Sequence, residues 1–237
     1  MSNSDIIFYA PDIKELPELP AQESQHCVKV LRMRIGDEIL VSDGKGGRFE
    51  CVITDANHKR CRLDIVKEET IEKQRNYSVG IAFAPTKHID RNEWFVEKAT
   101  EIGIDYIIPL RTKYSERKEI KNERLEKIAV AAMKQSKQFY LPQIYDMMSF
   151  EEFVASNKEG QKFIAHCYDM PKKELTVAYK RGENVFIAIG PEGDFSEQEV
   201  ELSMTHGFKP ISLGTNRLRT ETACLSALQT IHIINNL

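Results

Sequence analysis

The chain has 237 residues, of which 41% are apolar and 29% charged, and its 33 basic and 36 acidic residues give a net charge of −3. This composition supports a hydrophobic core and excludes a largely disordered chain or a uniformly basic nucleic-acid binder, although a local basic surface stays open. No apolar run approaches the roughly 20 residues of a membrane helix, and residues 1–20 lack the basic and apolar regions of a signal peptide. We therefore expect a cytoplasmic protein without a membrane partner.

Short alternating runs dominate the chain before residue 75. Phe49, Cys51 and Ile53 alternate with more polar neighbours, which is typical of a half-buried strand. Strands this closely spaced predict a small β-barrel or sandwich over residues 1–73. The glycine-rich residues 43–47 are interpreted as a hairpin turn, because a strand pattern follows them where a phosphate-binding loop needs a helix.

From residue 76 to 237, apolar strands alternate with amphipathic helices, which predicts an α/β domain with a mainly parallel sheet. Strands are predicted within residues 77–86, 104–112, 162–167, 184–190 and 209–214, and helices within 90–103, 122–139, 196–207 and 221–236. The first helix is expected to bury a face formed by Trp94, Phe95, Lys98, Ala99 and Ile102. The second is expected to carry a stripe of Leu125, Ile128, Ala132 and Phe139.

The five cysteines are odd in number and form no C-x-x-C pair. A disulfide scaffold or zinc ribbon needs paired, closely spaced cysteines, so we expect reduced thiols and no metal site.

Two glycine-bearing strand ends carry the strongest functional signal. Residues 190–195 lie between a buried strand and the capping box that opens at Ser196, and Leu213-Gly214 ends the next strand before the polar turn 217–223. Open α/β sheets bind ligands at this edge, so the pattern predicts a pocket with buried charge. The alternative is an ordinary strand-to-helix turn that contains glycines.

These motifs resemble the C-terminal signature of the RsmE family, in the order G190-P-E-G193, L213-G214 and L218-R-T-E-T-A223. Further similar blocks lie at residues 26–37, 87–103, 135–136 and 142–144. The chain departs from the family pattern at Gln138, where arginine is usual, and at Asp194, where glycine is commoner. The aspartate at 194 costs little if that residue lies beyond the cofactor.

The resemblance implies an N-terminal PUA-like barrel and a C-terminal domain of the SPOUT superfamily with a deep trefoil knot. It implies a homodimer that uses S-adenosylmethionine to methylate uridine N3 in 16S ribosomal RNA of the small ribosomal subunit. A second hypothesis is a catalytically silent RNA-binding or ribosome-assembly protein, which would have an eroded cofactor motif. A third, a nicotinamide- or nucleotide-dependent enzyme, lacks the expected G-x-G-x-x-G after the first strand.

The resemblance also implies residue roles. The cofactor would contact His166, Gly190, Pro191, Glu192, Gly193, Leu213, Gly214, Leu218, Arg219, Thr222 and Ala223. Arg219 is expected to stabilise charge on the uracil oxygens, or alternatively to pair with Glu221 or Glu192. Glu221 would either accept the N3 proton or complement the dipole of the last helix.

A local excess of positive charge predicts the RNA surface. Residues 111–137 contain nine basic and four acidic side chains. We expect RNA contacts from Arg111 and Arg117 here, and from Arg32 and Arg34 in the N-terminal domain. The alternative for residues 111–137 is a solvated helix face with paired charges.

Overall fold

The computed structural model describes residues 6–156 and 159–237 of the chain. Their contacts define two compact units, the described part of Met1–Gln74 with Val130–Leu141, and Arg75–Ala129 with the described part of Pro142–Leu237. Residues 1–5 of the first predicted domain lie outside the described residues. The division into domains at residues 1–73 and 76–237 stays a prediction. The contacts within the first unit also include residues 130–141.

The first unit contains a four-stranded sheet in the order β1-β2-β3-β4, with β1 parallel to β2 and the other neighbours antiparallel. Its strands are β1 (Ile7–Tyr9), β2 (Glu38–Ser42), β3 (Gly47–Asp55) and β4 (Arg62–Thr70), and helix α1 (Ala21–Gln25) continues into a π-helical turn (His26–Val30). Phe49, Cys51 and Ile53 of β3 are buried, as their alternation predicts.

The turn between β2 and β3 is the predicted hairpin turn. The Asp43 carboxylate accepts hydrogen bonds from the N–H groups of Lys45 (2.7 Å) and Gly47 (2.8 Å), as in an Asx turn. Residues 17–19 pair with the start of β4, because Leu63 N–H donates to the Pro17 carbonyl at 2.9 Å. The strand content predicted for this part of the chain is confirmed.

In the second unit, the described residues form one parallel sheet of eight strands, which confirms the predicted α/β class. The strand order is β10-β12-β9-β11-β5-β6-β7, and β8 also pairs with β6. The strands are β5 (Val79–Phe83), β6 (Tyr106–Arg111), β7 (Gln143–Ile144), β8 (Met148–Ser149), β9 (Gln161–Ala165), β10 (Lys173–Glu174), β11 (Val185–Ile189) and β12 (Lys209–Ser212). β5 and β11 are buried along their whole length, as central parallel strands are.

The helices that follow these strands are α2 (Ile89–Ile102), α3 (Asn122–Gln135), α4 (Phe150–Ala155), α5 (Leu175–Ala178), α6 (Glu197–Thr205) and α7 (Thr220–Asn236). The capping box predicted at Ser196 is present, with Ser196 Oγ accepting from the Glu199 N–H. α7 packs against α2 and α5 and against strands β5 and β11. No helix in the described ranges is long and apolar enough to cross a membrane.

The predicted face of α2 is partly wrong. Trp94 is 45% exposed, and the buried residues are Asn92, Phe95, Val96, Ala99 and Thr100. Asn92 is buried because its side chain accepts from the Thr86 N–H (2.8 Å) and donates to the Thr86 carbonyl (3.0 Å). The face predicted from residue spacing is therefore rotated relative to the face of α2 that is buried.

The predicted end of α3 is also wrong, since the helix ends at Gln135 and does not include Phe139. Lys137 has a φ of 57°, and Gln138 N–H donates back to the Met133 carbonyl at 3.0 Å, which closes the helix. Phe139 instead accepts a backbone hydrogen bond from Gly46 (2.8 Å) in the first unit.

Candidate functional site

The described part of the second unit contains a cavity of about 580 Å³ and another of about 570 Å³. The second one lies where β9, β11 and β12 end. Its wall is formed by loops 166–172, 190–194 and 213–219 and by the first turn of α7. Since these strands are parallel, their carboxyl ends meet at one edge, which is where such sheets bind ligands. We call this the sheet-edge cavity.

The loop after β11 is tied to the start of α7. Thr220 Oγ1 donates a buried hydrogen bond of 2.9 Å to the Gly190 carbonyl, and Arg217 Nη2 donates to the Glu192 carbonyl at 3.3 Å. A Cβ on Gly190 would lie 3.1 Å from Phe195 N, so a larger residue would force this loop to move. These contacts fix the loop as one wall of the cavity.

Asp194, the residue at which the chain departs from the family's glycine, lines the sheet-edge cavity. Its φ of 66° is in the left-handed region, which aspartate tolerates better than most residues with a side chain. Its carboxylate accepts from the N–H groups of Cys167 (2.7 Å) and Phe195 (2.8 Å). Asp194 therefore joins the loop after β9 to the loop after β11.

His166 presents an unpaired donor at the end of β9. Its Nδ1 accepts from the Tyr168 N–H at 3.2 Å, which assigns the ring proton to Nε2. Burial, with the nearby Lys172 ammonium, lowers the pKa of His166, so the ring is neutral at pH 7. Nε2 is buried and has no hydrogen-bond partner in the described ranges. A buried donor of this kind marks a place for a ligand.

Glu221 provides the corresponding acceptor. It lies in the first turn of α7, 8% exposed, with Oε1 3.8 Å from Arg91 Nε. Its second oxygen, Oε2, is buried without a partner among residues 6–156 and 159–237. The position also suits a negative charge at a helix N-terminus. Glu221 is therefore placed for both roles expected from the sequence, acceptor of the N3 proton and complement to the dipole of the last helix.

Arg219 is the residue before α7 and its side chain is exposed at the cavity. It forms no ion pair or side-chain hydrogen bond with any residue that the structure describes. The alternative pairing with Glu221 or Glu192 is therefore not observed, because Arg91 faces Glu221 and Arg217 contacts the Glu192 carbonyl.

The cavity brings together most of the residues predicted to act there. Those that line it are His166, Gly190, Pro191, Glu192, Leu213, Gly214, Leu218, Arg219, Glu221 and Ala223. Gly193 and Thr222 do not: Gly193 packs under Tyr114, where an added Cβ would lie 3.0 Å from Tyr114 Cβ, and Thr222 is exposed.

Sequence reasoning assigned no role to Arg91 or Lys172, which also line the cavity. Arg91 stands in one of the blocks used for the resemblance, but it lies at the start of the first helix, far along the chain from the glycine motifs. Lys172 donates to the carbonyls of His166 (3.0 Å) and Tyr168 (2.8 Å) and so shapes its own loop. No short sequence motif predicts that Arg91 or Lys172 lines the cavity.

The residues present fit S-adenosylmethionine. The cavity volume is in the usual range for small-molecule sites. The unpaired donor on His166 matches the hydroxyl and carboxylate groups of that cofactor, which leaves the unpaired acceptor on Glu221 to the substrate. In the described ranges, no three His, Cys, Asp or Glu side chains are grouped to hold a metal.

The four arginines expected to bind RNA divide between the units. Arg32 and Arg34 are exposed in the loop before β2, with Arg32 at a φ of 58°. Arg111 is exposed at the end of β6. Arg117 is half-buried and donates to the carbonyls of Thr86 (3.1 Å) and Lys87 (2.6 Å).

Comparison with known proteins places the chain beside enzymes that modify RNA. A family model described as an RNA methyltransferase domain matches residues 73–232, and one described as an RNA methyltransferase PUA domain matches residues 19–66. "Ribosomal RNA small subunit methyltransferase E" of Rickettsia conorii is 28% identical, over 92% of this chain and 90% of that protein.

Two crystal structures are similar over almost their whole length. A probable rRNA-methyltransferase from Porphyromonas gingivalis has a TM-score of 0.91 and 41% identity, with 98% of each chain covered. A ribosomal RNA small subunit methyltransferase E from Neisseria gonorrhoeae, bound to S-adenosyl methionine, has a TM-score of 0.84 and 25% identity, with 97% of each chain covered.

Proposed function

This chain belongs to the RNA methyltransferase domain family, and we propose that it transfers a methyl group from S-adenosylmethionine to N3 of a uridine in 16S ribosomal RNA. The observation that carries the proposal is the sheet-edge cavity, where the buried donor of His166 and the buried acceptor of Glu221 both lack protein partners. The name of the Rickettsia conorii relative supports the small-subunit RNA as substrate.

The proposed cofactor residues are those that the resemblance implied, and ten of the twelve cofactor and catalytic candidates line the cavity. His166 would donate from Nε2, and the loops around Gly190 and Gly214 would bring backbone groups close to the ligand. Gly193 and Thr222 would act indirectly, through the shape of the loop after β11 and of the start of α7. When bound, the cofactor supplies an electrophilic methyl group.

The chain's own contribution to the chemistry is to orient uridine and to stabilise charge. N3 must lose its proton, and negative charge then spreads onto the carbonyl oxygens of the uracil ring. The Arg219 guanidinium is exposed at the cavity and pairs with none of the described residues, so it can meet that charge. Glu221 Oε2 is the proposed proton acceptor, and Arg91, 3.8 Å from Oε1, would orient the carboxylate.

Substrate RNA would contact Arg32 and Arg34 in the first unit and Arg111 in the second. Arg117 is proposed to act on RNA mainly by holding loop 86–87, since its guanidinium already donates to two carbonyls there.

A homodimer and a trefoil knot complete the proposal. Helices α2 and α7 pack together, and each exposes one large apolar side chain, Trp94 (45%) and Ile233 (49%), which supports a subunit interface on these helices. The knot rests on the family resemblance, and the bonds from Thr220 to the Gly190 carbonyl and from Arg217 to the Glu192 carbonyl would hold its loops together. Light scattering at micromolar concentration tests the dimer. The protein would act in the cytoplasm, where ribosomal RNA is modified.

The test of function is methylation itself. We expect ribosomal RNA from cells that lack the protein to lose one methylated uridine in 16S RNA, detected by mass mapping, and the purified protein to restore it. A catalytically silent RNA-binding protein would leave the RNA masses unchanged. Retention of the cavity and its unpaired groups favours the enzyme over that alternative.

A further inference from the structure

The other large cavity of the second unit, of about 580 Å³, has a different chemical character. Five cationic side chains and one carboxylate line it: Arg111, Arg117, Lys118, Lys121 and Arg124, with Glu119. We call it the basic cavity. Because the net charge of the whole chain is −3, this excess of positive charge is local to the cavity.

Three of the five cations are available to a ligand. Arg124 forms an ion pair with Glu93, and Arg117 is held by two backbone carbonyls. The side chains of Arg111, Lys118 and Lys121 are exposed and make no ion pair or hydrogen bond with the described residues. The alternative of a helix face with paired charges therefore fails for these three. An anion in the cavity would meet uncompensated positive charge.

The cavity also has an apolar surface, which a simple anion would not use. Ile89, Ile120, Leu125 and Met147 line it beside the cations. A flat apolar face beside positive charge suits a nucleotide, whose base packs against the side chains while its phosphate meets the cations. The volume is sufficient for one such unit.

The basic cavity borders the sheet-edge cavity through one short segment of chain. Ile89 lines the first and Arg91, two residues further on, lines the second. Arg117, at the basic cavity, donates to the Lys87 carbonyl, and the Lys87 N–H in turn donates to Glu192 Oε1 (3.3 Å) at the sheet-edge cavity. Residues of one short segment of the second unit therefore line both cavities.

We infer that the basic cavity binds a nucleotide of the substrate RNA adjacent to the uridine in the sheet-edge cavity, with its phosphate on Arg111, Lys118 and Lys121. The inference rests on the proposed function for its substrate. It explains how a protein with few free charges near the reacting base would hold the flanking strand in register.

The test uses the full-length protein and a double variant, Lys118→Ala with Lys121→Ala. A matched control, Lys180→Ala with Lys209→Ala, removes the same charge from exposed positions of the same unit that line neither cavity. The probes are a short single-stranded 16S RNA fragment that contains the target uridine, and oligouridylate. Affinity is measured over a series of salt concentrations, with S-adenosylmethionine affinity measured by calorimetry in parallel.

We expect the double variant to bind both RNAs about tenfold more weakly. The slope of log affinity against log salt should become shallower by about 1.4, since two lysine–phosphate contacts on single-stranded RNA are lost. Cofactor affinity should stay unchanged. 4-Thiouridine placed beside the target should cross-link to the peptide that contains Ile120 and Leu125. If the double variant matches the control in affinity and salt slope, or the cross-link maps elsewhere, the inference is wrong.

Failure of the two proposals can be told apart. A wild-type protein that binds RNA through Lys118 and Lys121 but methylates no 16S fragment would overturn the proposed function and leave the basic cavity as an RNA site. A wild-type protein that methylates the fragment, with a double variant equal to the control, would overturn the basic cavity alone.

Discussion

Replacement of Arg219 by alanine separates a catalytic role from a structural one. The side chain is exposed and makes no ion pair or hydrogen bond in the described part of the chain, so truncation removes no folding contact. We therefore expect the free energy of unfolding to change by less than about 0.5 kcal/mol. For a protein of this size that corresponds to a melting temperature within about 2 °C of wild type.

The chemical step should respond far more strongly. If the guanidinium stabilises charge that arises only as N3 loses its proton, its loss should slow single-turnover methylation by about 10²–10³-fold, or roughly 2.7–4 kcal/mol. The affinity for S-adenosylmethionine should change by less than about twofold, because that interaction is absent before the reaction.

The assay is transfer of a labelled methyl group to the RNA fragment at saturating cofactor, with enzyme in excess over RNA. Arg181→Ala, at an exposed position away from both cavities, is the control that should keep the wild-type rate. Arg217→Ala, which loses the bond to the Glu192 carbonyl, should weaken cofactor binding. An unchanged rate for Arg219→Ala, or a fall in rate matched by falls in cofactor affinity and melting temperature, would refute the catalytic role.

Three further outcomes are expected. Thr220→Val removes the buried bond to the Gly190 carbonyl and should lower the melting temperature by about 2–4 °C in calorimetry, whereas Thr220→Ser should not. His166→Ala should weaken cofactor binding about three- to tenfold by calorimetry through loss of the Nε2 donor, and equal affinity would contradict that contact. Burial lowers the pKa of His232, whose Nδ1 is hydrogen-bonded to Tyr77 Oη, to about 4. Between pH 6.5 and 4 the unfolded chain therefore binds a proton that the native ring does not, and stability falls by at most about 3 kcal/mol. Urea titrations at pH 7 and 4.5 should show a smaller decrease for His232→Gln, and an equal decrease would count against this assignment.

Local sequence signals predicted the elements that depend on local physics. The apolar run before Gly190 and the capping box at Ser196 predicted a buried strand, a turn and a helix, and all three are present. The period of two in β3 likewise follows from one buried face. The strand order could not be predicted from such local signals, because the placement of β9 between β12 and β11 depends on hydrogen bonds between residues far apart in sequence.

The errors have a common physical origin. Asn92 is buried through hydrogen bonds to Thr86 that no hydropathy pattern records, so Trp94 was wrongly placed inward. The Asp194 carboxylate joins two loops that come from separate strands, a contact that no local motif predicts. Arg91 reaches the candidate site from a helix about 100 residues before the glycine motifs. Sequence motifs identify the loops at the site, whereas residues that reach the site from elsewhere in the chain can be identified only once the fold is known.

The first unit is discontinuous, and this limits how the protein can be divided or rebuilt. Residues 130–141 belong to it, and the backbone of Phe139 and Leu141 is hydrogen-bonded to Gly46 and Gly44 in its hairpin turn, both at 2.8 Å. A protein shortened to its first 74 residues would expose these backbone groups of the turn and lose the strand-like neighbour that pairs with them. Exchange of this unit between related proteins would therefore need three splice points, after residues 74, 129 and 141, with the second one inside the helix that ends at Gln135.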